Sequence, residues 1–131
     1  LGGRDYANMA DEAAQRWIRG YRDMTIDIAP WDDGYGATAP VGRFKPNAWG
    51  LYDMHGNACE WCRDWYDENY YQHSTGFDPK GPRAGVYRVL RGGSWVRHAR
   101  VCRSATRHSI APTFRSVGRG FRVVLLESPS D

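Results

Sequence analysis

Apolar residues fall into one helical pattern and two short strand-like runs, separated by long stretches without a period. In residues 7–22, ANMADEAAQRWIRGYR, the residues Ala13, Ala14, Trp17 and Ile18 share one face at i, i+3, i+4 spacing. Asp11 stands where a helix cap belongs, so a helix over about residues 11–20 is predicted. Residues 29–50 are punctuated by Pro30, Gly34, Gly36, Pro40, Gly42, Pro46 and Gly50 and read as irregular loop. Residues 50–66 mix Gly, Trp and acidic side chains with no clean period, and 67–86 read as a further loop. Strand character appears at Tyr87–Leu90, before the Gly92–Gly93 turn, and at Gly120–Leu126. Residues 95–119 alternate only locally, no internal repeat is found, and residues 127–131 read as a frayed tail. The pattern predicts one α+β unit over residues 1–131, with most of its backbone irregular.

Composition sharpens this picture. The chain has 131 residues, enough for one domain, with 41% hydrophobic and 14% aromatic residues, six Trp, eight Tyr and 15 Gly. A mean hydropathy of −0.69 implies a modest core, held by aromatic packing and buried polar contacts. No apolar run approaches the roughly 20 residues that span a bilayer. The chain starts at Leu1 and shows no signal-peptide pattern; a piece of a longer protein is expected.

The net charge of +3 conceals a polarity. Residues 1–79 carry 13 acidic and 7 basic side chains, net −6, and residues 80–131 carry 2 acidic and 11 basic ones, net +9. Sixteen of the 18 basic residues are Arg. Arg clusters bind phosphate, so nucleic acid is one reading. Arg is also the residue suited to bidentate internal pairs, so the expectation is a basic half packed on the acidic half.

Three cysteines leave at least one thiol unpaired. Cys59 and Cys62 form a C-x-x-C without a second pair, and His55 or His98 would have to complete a zinc site. The alternative is that these cysteines pack as small hydrophobes. His55, His73, His98 and His108 show neither an H-x-x-x-H spacing nor a carboxylate triad for iron.

Four blocks, in order, carry a family resemblance: APVGRFKPNAWGLYDMHGN (39–57), EWCRDWY (60–66), YRVLRGGSW (87–95) and CRSATR…GRGFRVVL (102–125). Together they resemble the C-terminal half of the formylglycine-generating-enzyme (sulfatase-modifying-factor) family. That family also includes the sulfoxide-synthase domains of thiohistidine biosynthesis. The resemblance runs from about Asn8 to Leu125 and implies an irregular, loop-rich variant of the C-type-lectin fold. It also implies a further N-terminal stretch of comparable length. The expected partner is therefore that missing half, or another subunit filling its place.

In this family two cysteines, five residues apart after the G-G-S motif, hold the copper that oxidises a substrate cysteine. Here they map onto Arg97 and Cys102, following Gly92-Gly93-Ser94-Trp95. A guanidinium cannot replace a thiolate on Cu(I), so copper is not expected. Cys102 reads either as a residual reactive thiol, its pKa lowered by Arg97 and assisted by Ser94, or as a buried cysteine under Trp95. Calcium is expected from the resemblance at two sets. One is Asp53, Gly56, Ala58 and Glu60, with Asn57 pinning the turn. The other is Asn8, Met9, Asp33 and Tyr35. Hard cations take such carboxylate, amide and carbonyl oxygens. The competing assignment for Asp53 and Glu60 is pairing with Arg91 or Arg122. Calcium would fit an extracytoplasmic location.

The resulting expectation is a non-catalytic binding or scaffold module that takes a protein or peptide ligand, with nucleic acid disfavoured. Variable proteins of diversity-generating retroelements share the pattern C-R-S-A-x-R, present here at Cys102–Arg107. By that resemblance the ligand surface comprises Trp95, Val96, Arg97, His98, Thr106, His108, Phe114 and Arg119. The alternatives are a ligand-displaying variable protein and an oxidase of the formylglycine-generating type working through Cys102 and Ser94.

Overall fold

A computed structural model of the protein describes residues 3–18 and 27–125. Helix α1 spans Glu12–Ile18. Asp11 fixes its start: Oδ1 accepts the Ala14 N–H at 3.0 Å, and the Asp11 carbonyl accepts the Gln15 N–H at 2.8 Å. The carboxylate thus satisfies a first-turn donor that has no partner within the helix. Ala13, Ala14 and Ile18 are buried, in keeping with their spacing. Trp17 is half-exposed, yet its ring meets Trp95 edge-on with centroids 5.0 Å apart. The predicted extension to residue 20 and the tail at 127–131 lie outside the described residues.

Four short strands form one sheet: β1 (Cys59–Trp65), β2 (Arg88–Arg91), β3 (His108–Ile110) and β4 (Arg119–Phe121). Their order is β3-β2-β1-β4, with β2 antiparallel to both its neighbours and β4 parallel to β1. In register, Cys59 opposes Arg119, Trp61 opposes Leu90, and Leu90 opposes His108. Opposed residues share a face, as do residues two apart on a strand. Arg119, Cys59, Leu90 and His108 therefore lie on one face of the sheet, although they are scattered over 60 positions of sequence.

Two expectations need correction. The strand predicted at Gly120–Leu126 pairs only as far as Phe121, and Arg122–Leu125 carries no strand structure. The apolar run Val123–Leu125 stands exposed among the described residues, Leu125 at 94%. Residues 67–86 are not all loop: Tyr70–His73 form a single-turn helix, α2. The fold is otherwise the predicted α+β type, loop-rich with few helices.

The core is small and made of two clusters. Trp95 packs on Ala14 and Ile18 of α1, with Ala37 and Val96 at its margin. Cys102 packs with Ala7 and Met9, against Trp31. The basic half does pack on the acidic half, through strands β2 and β4 on β1, but its arginines do so mostly without the expected ion pairs. Among the described residues a single ion pair, Arg122–Glu60, joins the two halves. Instead Arg88 lies 3.6 Å from the centre of the Trp65 ring, Arg107 4.2 Å from that of Tyr71, and Arg91 donates to the Ser104 and Thr106 carbonyls. A guanidinium does this readily because it is flat, weakly hydrated and rich in donors.

Candidate functional site

The Gly92–Trp95 turn connects strand β2 to the core. Gly93 adopts a φ of 73°, and a Cβ there would stand 2.4 Å from Cys102 Sγ, so no larger residue fits without displacing the thiol. The Trp95 N–H donates to the Asn57 carbonyl at 3.0 Å, and the Arg97 N–H to the Ser94 carbonyl at 2.9 Å. Asn57 in turn clamps Ala39, accepting its N–H at 2.9 Å and donating to its carbonyl at 3.2 Å. A chain of backbone bonds therefore fixes where residues 94–97 point.

Beside this turn, on the sheet face defined above, lies a pocket of about 170 Å³. Ser94, Val96 and Arg97 form one wall, and Cys59, His108 and Arg119 the other. His108 Nε2 and Arg119 Nη1 are buried with no hydrogen-bond partner. The Arg119 guanidinium also stacks 4.4 Å from the centre of the Phe114 ring. Burial pushes the His108 pKa down, and the positive charges of Arg97 and Arg119 push it further the same way, so its imidazole is neutral near pH 7. Among the described residues no Asp or Glu lines the pocket.

Five of the expected ligand-surface residues thus meet here, Val96, Arg97, His108 and Arg119 in the lining and Phe114 stacked on Arg119, and Ser94, expected only for the oxidase reading, lines the same pocket. Trp95 is not at the surface; it is 2% exposed and belongs to the core under α1. His98 lies apart, in a groove with Pro30 and Trp31. Thr106 is bound through its carbonyl to Arg91 and does not line the pocket. Sequence reasoning missed Cys59, Leu90 and Ile110, which strand pairing alone brings in.

Cys102 is shut away from that pocket's lining, in contact with Ala7 and Met9 and not beneath Trp95. Its Sγ lies 3.8 Å from the Arg97 carbonyl and 4.0 Å from that of Ser94. Burial pushes the thiol up to about 11, outweighing the Ser94 contact and the Arg97 charge that pull it down. The expected lowering by Arg97 is therefore overridden. Burial likewise raises the Cys59 and Cys62 thiols. Cys59 and Cys62 lie on strand β1, whose register slips between Trp61 and Trp65, and not on a turn of the kind that carries a chelating C-x-x-C. Among the described residues no three His, Cys, Asp or Glu side chains gather as a metal cluster.

The two calcium sets differ. Asp53 Oδ2 accepts the Gly42 N–H at 2.7 Å while Oδ1 is buried and unpartnered. Glu60, by contrast, is gripped by Arg122 through contacts of 2.6 and 3.0 Å. Asp53, Ala58 and Glu60 line one cleft of about 600 Å³, but Gly56 does not: a Cβ on it would stand 1.9 Å from the Asn8 carbonyl oxygen. In the other set Asp33 Oδ1 accepts the Tyr35 N–H at 2.8 Å, and Oδ2 is buried without a partner. Asn8 donates to the Ala37 carbonyl at 2.7 Å while its Oδ1 is also unpartnered. Burial pushes the Asp33 carboxyl up to about 6, against the pull of the Tyr35 N–H and with the charges of Asp11 and Asp32 adding to the rise.

Residues 2–126 match the sulfatase-modifying factor enzyme 1-like domain, and the chain belongs to that family. The formylglycine-generating enzyme of Streptomyces coelicolor is 46% identical over 94 residues, which cover 70% of this chain and 30% of that protein. Among solved structures, Treponema denticola variable protein 1 matches with a TM-score of 0.68 at 33% identity, covering 90% of this chain and 35% of its own. PvdO from Pseudomonas aeruginosa matches with a TM-score of 0.67 at 30% identity, over 90% of this chain and 38% of its own. The chain thus spans about a third of the length of each of these relatives.

Proposed function

We propose that this chain is the ligand-binding C-terminal part of a larger sulfatase-modifying-factor-type domain, and that it binds and does not oxidise. The observation that carries the reading is the state of the position where copper chemistry would sit. Arg97 stands at the first cysteine position implied by the resemblance, and Cys102 is a buried thiol pushed up to about 11. A protonated thiol beside a cation offers Cu(I) no thiolate pair. The pocket built from Ser94, Arg97, His108 and Arg119 is, in this reading, a recognition site.

The rest of the domain is the expected partner. Its docking surface in this reading includes the apolar run Val123–Leu125, with Phe121 and Val41 beside the larger cleft, all strongly exposed here. Exposed apolar area on that scale is what an adjoining part of a domain covers.

Calcium is proposed at the Asn8–Asp33 set. Two buried oxygens, Asn8 Oδ1 and Asp33 Oδ2, without a partner among the described residues support this reading, although the cleft lined by Asp33 and Tyr35 includes neither Asn8 nor Met9. Such oxygens are what a hard cation takes, and a divalent charge would remove the cost of ionising Asp33. The Asp53–Glu60 set does not fit in this arrangement, because Arg122 occupies the Glu60 carboxylate.

The alternative is an oxidase of the formylglycine-generating type, favoured by the 46% identity to the Streptomyces coelicolor enzyme. Incubating the full-length protein with copper and a C-x-P-x-R peptide separates the two. The binding reading expects intact cysteine in the peptide; conversion to formylglycine would overturn it.

A further inference from the structure

The pocket between the Ser94–Arg97 turn and strands β3 and β4 has an imbalance: its lining supplies donors and positive charge without a carboxylate to answer them. Arg97 and Arg119 both line it, and neither enters an ion pair among the described residues, where only Arg16, Lys45 and Arg122 do. Arg119 Nη1 and His108 Nε2 are buried there and unpartnered. A buried guanidinium nitrogen without an acceptor is costly, and native proteins rarely leave one so. Ser109 and Ser116 contribute hydroxyls at the rim. Leu90 and Ile110 supply apolar surface beside them.

Resting on the proposal that this is a recognition pocket, we infer that it takes an oxygen anion, a carboxylate or a tetrahedral phosphate or sulfate group, between the guanidinium groups of Arg97 and Arg119. Charge-assisted bonds from Arg to such groups are short and often bidentate, and they strengthen where water is excluded. A volume of about 170 Å³ holds the anionic group and a short apolar stem, since a water molecule fills roughly 30 Å³. Leu90 and Ile110 would then meet the stem. His108 reports on occupancy, because a bound anion opposes the charges of Arg97 and Arg119 that, together with the larger effect of burial, lower its pKa.

The test is a titration of the full-length protein with butyrate in one arm and inorganic phosphate in the other, followed through the His108 ring resonances by NMR. Saturable binding in either arm is expected, with a rise in the His108 pKa at saturation. The tighter arm identifies the chemical class. Arg97→Gln, at an exposed side chain without ion-pair duties, should weaken binding at least about tenfold and leave the melting temperature unchanged. Arg119→Gln should do the same and also remove the depression of the His108 pKa that Arg119 causes. No saturable binding in either arm, or binding that Arg97→Gln leaves intact, overturns the assignment. Peptide oxidation is measured on the same sample. Oxidation together with Arg97-dependent anion binding would sink the non-catalytic reading and keep the pocket assignment, and the converse result would do the reverse.

Discussion

The loops around α1 and the pocket beside β3 and β4 both keep buried polar atoms without partners, and the two sets are opposite in character. Near α1 the orphans are acceptors, Asn8 Oδ1 and Asp33 Oδ2, with Asp11 buried close by. In the pocket they lie on Arg119 and His108, with a second guanidinium, that of Arg97, in the lining. The charge polarity of the sequence, acidic before residue 80 and basic after it, therefore does not cancel across an internal interface. It leaves unpartnered carboxylate and amide oxygens in one region and an unpartnered guanidinium nitrogen in the other.

The largest expected effect comes from removing what both regions share. Trp95 joins α1 to the Gly92–Arg97 turn, so Trp95→Ala should cost about 3–5 kcal/mol in denaturant unfolding and abolish binding at both sites. A loss confined to one site would show that the regions are independently held.

Next is the pH response of Asp33. Its folded pKa, near 6, exceeds the ordinary carboxylate value, so the folded state binds the proton more tightly than the unfolded chain. Without divalent cation, stability should therefore be fully present below about pH 4 and fall as pH rises toward 6. The loss is about 1 kcal/mol once solvent screening of a half-exposed group is allowed for. Asp33→Asn should flatten that slope. Added calcium should raise the melting temperature of the unmodified protein at pH 7.5 and leave Asp33→Asn unmoved, because only a native-state site couples ligand to stability. An equal rise in both proteins would remove calcium from this site.

The smallest effect is expected at the pair that does neighbour its counter-charge. Glu60→Gln breaks the Arg122 contacts at a half-buried position, a change of about 0.5–1 kcal/mol by thermal unfolding. It should not alter the calcium response. A lost response would restore the Asp53–Glu60 set as a cation site.

The legible parts of the fold were those with a local period. α1 declares itself through Asp11 and the Ala13–Ile18 face, and β2 through its apolar centre, Val89–Leu90, before two glycines. β1 hides because its register slips between Trp61 and Trp65, leaving most of its side chains only partly buried and no clean alternation to read. β3 is three residues long and owes its existence to β2. The Val123–Leu125 run misled in the other direction: its apolar character reads as a strand, yet it is exposed and carries no strand structure. At the site, Arg97, His108 and Arg119 were visible as the stretch between two motifs. Cys59 was not, because its place in the pocket depends on pairing with Arg119, sixty residues away.

The proposal that the Arg97–Cys102 segment does not hold copper is open to a single measurement. It is tested most directly by Cu(I) titration of the full-length protein against a competing chelator, in the unmodified form and as Arg97→Cys. No stoichiometric Cu(I) is expected in the unmodified protein, whose buried Cys102 thiol is pushed up to about 11, whereas Arg97→Cys, which restores the pair, should bind it. One equivalent held tightly by the unmodified protein would contradict it.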